Sequence, residues 1–170
     1  MRVGLLADTH DRLPAIAELL RRFAERDVSL VIHAGDFCAP FALAPFREVG
    51  LPLLGVFGRN DGDREGLLAA AAALPAGGEL FESPHSFEVD GRAVLVVHDL
   101  GDVPARSLAA HAIVIHGFAH HAEMRIRGDT LVVNPGEACG WLHGAPGGAV
   151  LDLARRTVEF VSLTEPQWRY

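Results

Sequence analysis

Five short apolar runs punctuate the chain, and each breaks abruptly into residues that can bind a metal or a phosphate. Val3 to Ala7 runs into Asp8-Thr9-His10, and Leu30 to Ala34 into Gly35-Asp36. Leu53 to Phe57 runs into Gly58-Arg59-Asn60-Asp61, and Ala93 to Val97 into His98-Asp99. Ile113 to Ile115 runs into His116-Gly117-Phe118-Ala119-His120-His121. Continuous apolar runs of this length read as strands buried on both faces. Parallel strands would bring their carboxyl ends to one edge, where open α/β sheets build sites. Taken singly, Asp8 reads equally well as a cap for a helix starting near Pro14, with His10 a loop residue. The repetition of the same event along the chain is what points to a metal site.

Between the runs, Leu13, Ile16, Leu19, Leu20 and Phe23 have the spacing of an amphipathic helix, with Arg21, Arg22 and Glu25 on its solvated face. Pro40 to Val49 predicts a short helix. Another begins after Asp63, continues through the alanines 69 to 73 and stops near Pro75-Ala76-Gly77-Gly78. The first half therefore reads βαβαβ, the mark of a parallel sheet. The second half predicts three hairpins: 79–89 with 92–97 around Asp90-Gly91, 123–127 with 130–133 around Gly128-Asp129, and 150–153 with 158–163 around Arg155-Arg156-Thr157. A helix over 103–111 and a strand over 112–115 lie among them. The expected architecture is α/β, two packed mixed sheets with helices outside, and a tail from Glu165 to Tyr170 whose docking the pattern leaves open.

Composition narrows the reading. A chain of 170 residues that is 49% apolar predicts one domain, residues 1–170, with a sizeable core. Its net charge of −7 argues against holding nucleic acid by phosphate neutralisation. The chain has no lysine, so every cation is one of its 15 lysine-plus-arginine positions filled by arginine. Two cysteines, Cys38 and Cys139, are too few for a disulfide framework and read as small buried thiols in a reducing cytoplasm. The first apolar run is too short for a leader peptide, and no run approaches a membrane span, so a cytoplasmic protein is expected.

With these residues in hand, the ordered set Asp8-Thr9-His10, Gly35-Asp36, Gly58-x-x-Asp61, His98, the His120 region and Asn134-Pro135-Gly136 resembles the calcineurin-like metallophosphoesterase superfamily. Within it the chain is similar to the small single-domain bacterial and archaeal phosphodiesterases, over Met1 to about Ser162. The resemblance implies a four-layer α/β/β/α sandwich and two divalent metals. By position, Asp8, His10 and His120 match the ligands of the first metal, Asp36 the bridging carboxylate, and His98 a ligand of the second. It also implies hydrolysis of a phosphodiester or phosphomonoester by metal-bound hydroxide, with manganese the family-like ion and iron or zinc equally suited to the ligands.

The chain departs from the family pattern twice, both times at the second metal. The metal-binding asparagine of Gly-Asn-x-Asp falls on Arg59, and the first histidine of Gly-His-x-His falls on Phe118. The preferred reading is that one metal binds, with Arg59 pairing with Asp36 and clamping a phosphoryl oxygen, and Phe118 filling the vacated volume. Alternatively Asn60 supplies the missing amide, and His116 or His121 swings in for Phe118. Arg59, Asn60, Asp61 and His98 are thus the candidate catalytic residues, and Arg59, His98 and His121 the candidate substrate contacts. Asp61 orients its loop or caps the helix that follows. His33 supports a ligand from behind or is a core histidine. Glu137 stands where relatives commonly have serine and adds negative charge near the phosphate pocket. His85, His111 and His143 have no motif context. The expected partner is a small phosphorylated substrate, without nucleic acid or membrane. The rival expectation is a scaffold that keeps the fold without the chemistry, as in the metallophosphoesterase-like subunit of retromer, or a protein that binds a phosphorylated ligand without turnover.

Overall fold

In the computed structural model, which describes residues 1–168, every apolar run is a strand. β1 (Arg2–Leu6), β2 (Leu30–His33), β3 (Leu53–Val56) and β4 (Gly78–Phe81) pair in parallel, and β10 (Gly147–Asp152) and β11 (Thr157–Ser162) extend this sheet antiparallel beyond β1. The first sheet has the order β11-β10-β1-β2-β3-β4. The second, β5-β6-β7-β9-β8, comprises β5 (His85–Val89), β6 (Arg92–Val97), β7 (Ile113–His116), β9 (Thr130–Asn134) and β8 (Glu123–Arg127).

Alternation explains why the central strands are apolar throughout. Val94 and Val96 of β6 face the first sheet, in a core shared with Leu5, Ile32, Ile115 and Val133. Their neighbours Leu95 and Val97 face outward against Leu108 of α4 (Ala105–Ala109). Successive strand residues point to opposite faces, and here both faces are covered. On the far side of the first sheet, α1 (Leu13–Ala24) and α3 (Arg64–Ala72) cover a core that includes Leu6, Leu19, Phe23, Phe37 and Leu67. The expected four layers, α/β/β/α, are present. No helix among the described residues is long and apolar enough to cross a membrane.

The structure corrects several boundaries. The segment 79–89 is two strands in different sheets, because Pro84 has no N–H for a ladder and the chain crosses between sheets at Ser83-Pro84. The second half is less antiparallel than its hairpins suggest, since β6, β7 and β9 pair in parallel. The helix over 40–49 is a 3₁₀ turn, Pro40–Leu43, followed by α2 (Ala44–Val49), which Gly50 ends in the left-handed conformation. Trp168 packs on the helix-side core, and its carbonyl accepts from Arg12 Nη2 at 3.0 Å, whereas Tyr170 lies outside the described residues.

Phe23 joins α1 to the sheet. Its ring lies over two strand glycines, such that a Cβ on Gly4 would sit 2.5 Å from Cδ2 and one on Gly148 2.9 Å from Cζ. Phe23→Ala is expected to lower the unfolding free energy by about 3–5 kcal/mol. Gly4→Val should also destabilise, by overpacking against the same ring. Shifts of the urea midpoint at constant m-value check both.

Candidate metal centre

The carboxyl ends of β1, β2, β3, β6, β7 and β9 meet at one edge of the sandwich. To aim their side chains there, the strands end in turns that side chains rarely adopt. Asp8, His10, Asp36, Phe118 and His120 all have positive φ, from 38° to 63°. Each such residue costs about 1–2 kcal/mol, and a concentration of them marks a site whose geometry the surrounding fold imposes. Gly58 needs no side chain for the same reason. A Cβ there would lie 2.2 Å from Asp36 Oδ1.

Buried side chains hold the turns in place. Asp61 accepts from the backbone N–H groups of Asp36 at 3.1 Å, Cys38 at 2.8 Å and Gly58 at 2.6 Å. It therefore ties the β2 turn to the β3 turn, while Asp63 caps α3 by accepting from Gly66 N–H at 2.9 Å. His33 accepts the Gly35 N–H on Nδ1 at 3.1 Å, so its Nε2–H donates to Thr9 Oγ1, also at 3.1 Å. Thr9 in turn donates to the Asp36 carbonyl at 3.2 Å. Burial pushes the His33 pKa down to about 3, which keeps this relay neutral. His33 is thus both a core histidine and a support behind Asp36.

Within this frame two imidazoles point lone pairs at carboxylates. His98 donates from Nδ1 to the Ala34 carbonyl at 2.8 Å, which leaves Nε2 facing Asp36 Oδ1 at 3.5 Å. His120 donates from Nδ1 to Glu137 Oε2 at 2.9 Å, which leaves Nε2 facing Asp8 Oδ1 at 3.5 Å. His10 Nε2 is 3.6 Å from Asp36 Oδ2. Asp8 Oδ1, Asp8 Oδ2 and His98 Nε2 are buried without any hydrogen-bond partner. Acceptors facing acceptors in the interior are costly unless a cation lies between them. The donor set, carboxylate oxygens and imidazole nitrogens, is one that Mn, Fe or Zn accepts. The residues present therefore fit a divalent ion, and Asp8, His10 and Asp36 bring ligand atoms within 4.8 Å of one another.

Electrostatics follow the same arrangement. Burial lifts the Asp8 carboxyl to about 6, against the pull of His120 and His98. Burial would raise Asp36 too, but the nearby His98 and the two donations from Asn60 outweigh it and hold Asp36 below the usual carboxylate range. Burial lowers the His10 imidazole. At His98 burial also acts to lower the pKa, yet contact with Asp36 reverses the sign and raises it.

The two departures from the family pattern form one unit. The Arg59 guanidinium lies 4.3 Å over the Phe118 ring, and its Nη2 donates to Asp99 Oδ2 at 2.6 Å, with Asp102 at 3.7 Å. Arg59 is about half exposed and does not pair with Asp36, which corrects the expected clamp. Residues one apart on this turn point oppositely, so it is Asn60 that faces the site. Its N–H donates to Asp36 Oδ1 at 2.8 Å and its Nδ2 to Oδ2 at 2.7 Å. Phe118 is exposed at the rim, edge-on to His98 with ring centroids 5.7 Å apart. His121 lines a cavity of about 170 Å³ that it shares with His120 and Glu137, and it meets His143 edge-on. His116 lies 3.3 Å from Glu123, outside the cluster. Cys139 is buried, and Cys38, half-buried, contacts His10 Nδ1 at 3.3 Å; burial pushes both thiols up to about 12.

Glu137 was legible only as added negative charge near phosphate, and its place is different. It is buried behind His120, fixing that ring's tautomer, and accepts from Leu142 N–H at 3.0 Å and His143 N–H at 2.5 Å. A carboxylate behind a metal-facing imidazole orients the ring and raises its basicity.

The signature of the calcineurin-like phosphoesterase superfamily domain matches residues 1–156, and the chain belongs to that superfamily. Phosphodiesterase MJ0936 of Methanocaldococcus jannaschii is 30% identical over 160 residues, spanning 92% of this chain and 95% of that protein. A solved archaeal phosphodiesterase superposes with a TM-score of 0.89 at 30% identity, covering 96% of this chain and 100% of the other. The E. coli phosphoesterase Yfce gives 0.70 at 16% identity, covering 95% and 98%. Vps29 of Entamoeba histolytica complexed with Zn²⁺ gives 0.66 at 18%, covering 96% and 98%. These last two likenesses concern the fold alone. The family and its phosphodiesterase members support phosphoester hydrolysis, and the family implies a divalent metal.

The Asp8 carboxyl gives the site a testable cost. Its folded pKa of about 6 lies above the ordinary 3.8, so ionisation opposes folding, with the penalty absent below pH 4 and complete above pH 6. In chelator-treated protein Asp8→Asn should match wild type in stability near pH 4 and exceed it by about 1–3 kcal/mol at pH 7.5. Urea unfolding at the two pH values measures the difference.

Proposed function

We propose that the chain is a divalent-metal-dependent phosphodiesterase that acts on a small phosphorylated substrate, with manganese the favoured ion. The observation that carries this reading is the orphaned polarity of the site, both carboxylate oxygens of Asp8 and Nε2 of His98 buried without partners. Asp8, His10, Asp36 and His120 would hold a first ion. Asp36, His98 and Asn60 would hold a second and weaker one, because Phe118 stands where the family supplies a further imidazole. A divalent ion so bound supplies Lewis acidity toward phosphoryl oxygen and lowers the pKa of water.

The chain's own residues do the rest. Asp61 and His33 hold the Asp36 turn rigid, and Glu137 holds His120, so the ligands need little reorganisation. Arg59 presents its exposed guanidinium at the rim, where it can meet a non-bridging phosphate oxygen. Asp99 and Asp102 temper its charge. A rim with these carboxylates favours a phosphodiester, which carries one negative charge, over a monoester, which approaches two.

Metal content per chain and Mn²⁺-dependent hydrolysis of bis(p-nitrophenyl) phosphate, read on one sample, test the proposal. One tight ion, a second that loads only at higher Mn²⁺, and turnover are expected. Asp36→Ala should abolish turnover. Asn60→Ala should weaken loading of the second ion, which Arg59→Ala should leave in place. Glu137→Ala should weaken the first by about 10–100-fold. Neither metal nor turnover after Mn²⁺ is supplied would move the assignment to a scaffold.

A further inference from the structure

One residue of the site edge is not explained by metal binding. Trp141 is 45% exposed, high for a side chain that large and apolar. It is stacked against His10, with ring centroids 6.0 Å apart and planes at 26°, and His10 is in turn stacked on His120 at 5.3 Å. The indole thus extends the stack of metal-facing imidazoles outward.

Its position is fixed from both sides. Before it, Ala138 N–H donates to the Ala7 carbonyl at 2.9 Å and Cys139 N–H to the Asp8 carbonyl at 3.0 Å, so the loop is stitched to the end of β1. Arg12 Nη1 donates to the Cys139 carbonyl at 2.5 Å. After it, Leu142 and His143 give their N–H groups to buried Glu137. Gly140, at φ +65°, has no room for a side chain, since a Cβ there would be 2.4 Å from Pro146 N. An exposed ring on so constrained a backbone is held in place rather than left over.

Phe118, the other aromatic at the rim, is already covered by the Arg59 guanidinium at 4.3 Å. Among the described residues the one ring stacked on Trp141 is His10. Building on the phosphodiesterase reading, we infer that Trp141 is a stacking platform for the organic part of the substrate, which is a planar aromatic group, a nucleobase or an aryl ring. The indole stands against His10, so the organic part of a ligand whose phosphate meets an ion held by Asp8, His10 and Asp36 has this ring beside it. Stacking on an indole is strong and tolerant of ring identity.

The test uses pairs of methylphosphonate monoesters, which carry the single negative charge of a diester and differ only in the ring, titrated calorimetrically into Mn²⁺-loaded protein. Adenosine 5′-methylphosphonate is compared with ribose 5-methylphosphonate, and phenyl methylphosphonate with methyl methylphosphonate. Wild type is expected to bind at least one ring-bearing partner about tenfold more tightly. Which pair shows the effect separates a nucleobase from an aryl group. Trp141→Leu should bring the ratio to within about twofold of unity, and Trp141→Phe should retain most of it. Equal affinities within both pairs in wild type, a preference that survives Trp141→Leu, or no binding of any of these singly charged esters would overturn the inference. Turnover of bis(p-nitrophenyl) phosphate without ring preference would sink this inference and leave the phosphodiesterase reading standing. Ring preference without turnover would do the reverse.

Discussion

Two carboxylates, Asp8 and Asp36, are buried at the ends of adjacent strands, and the rest of the site is arranged around negative charge in the interior. Asp36 is the compensated one. Two donations from Asn60 and the proximity of His98 and His10 keep it ionised. Asp8 is left bare, with neither oxygen bonded and its pKa driven up by burial. Folding tolerates such a group only where binding repays it, since an ion between Asp8 and the imidazoles removes the penalty and links stability to occupancy. The left-handed backbone at five residues of the cluster has the same origin. The sandwich is rigid enough to hold side chains in conformations they would not choose.

The pairing of Arg59 with Phe118 changes the meaning of the chain's departures from its family. Considered position by position, they remove two ligands from one metal. In space they touch, and Arg59 is further anchored to Asp99 on the loop after β6. They form a cationic, aromatic rim, while Asn60 takes the inward position on the turn.

The polar residues at the sheet edge are supported from behind. Asp61, His33, Thr9 and Glu137 touch no solvent-facing chemistry, yet each closes a hydrogen bond that fixes a ligand or its turn. The same Glu137 also shapes the loop bearing Trp141, so ligand orientation and the contour of the site mouth depend on one buried carboxylate.

The strands, the two-sheet architecture and the gathering of Asp8, His10, Asp36, His98 and His120 at one edge were legible because each apolar run ends in its chemistry, and a parallel sheet can only gather such ends at one edge. Local pattern also gave the Asp90-Gly91 turn, since left-handed φ at both positions is a property of those residue types. What the sequence could not determine was direction. Whether Arg59 or Asn60 faces Asp36 depends on the rotation of one turn, set by Asp61 tying that turn to the Asp36 and Cys38 N–H groups after β2, and whether Glu137 meets phosphate or His120 depends on a loop stitched to β1. The break of 79–89 into strands of two sheets was likewise settled by packing. Spacing along a chain specifies which residues arrive together, but which way each one points is decided by long-range hydrogen bonds that exist only once the sheets have closed on each other.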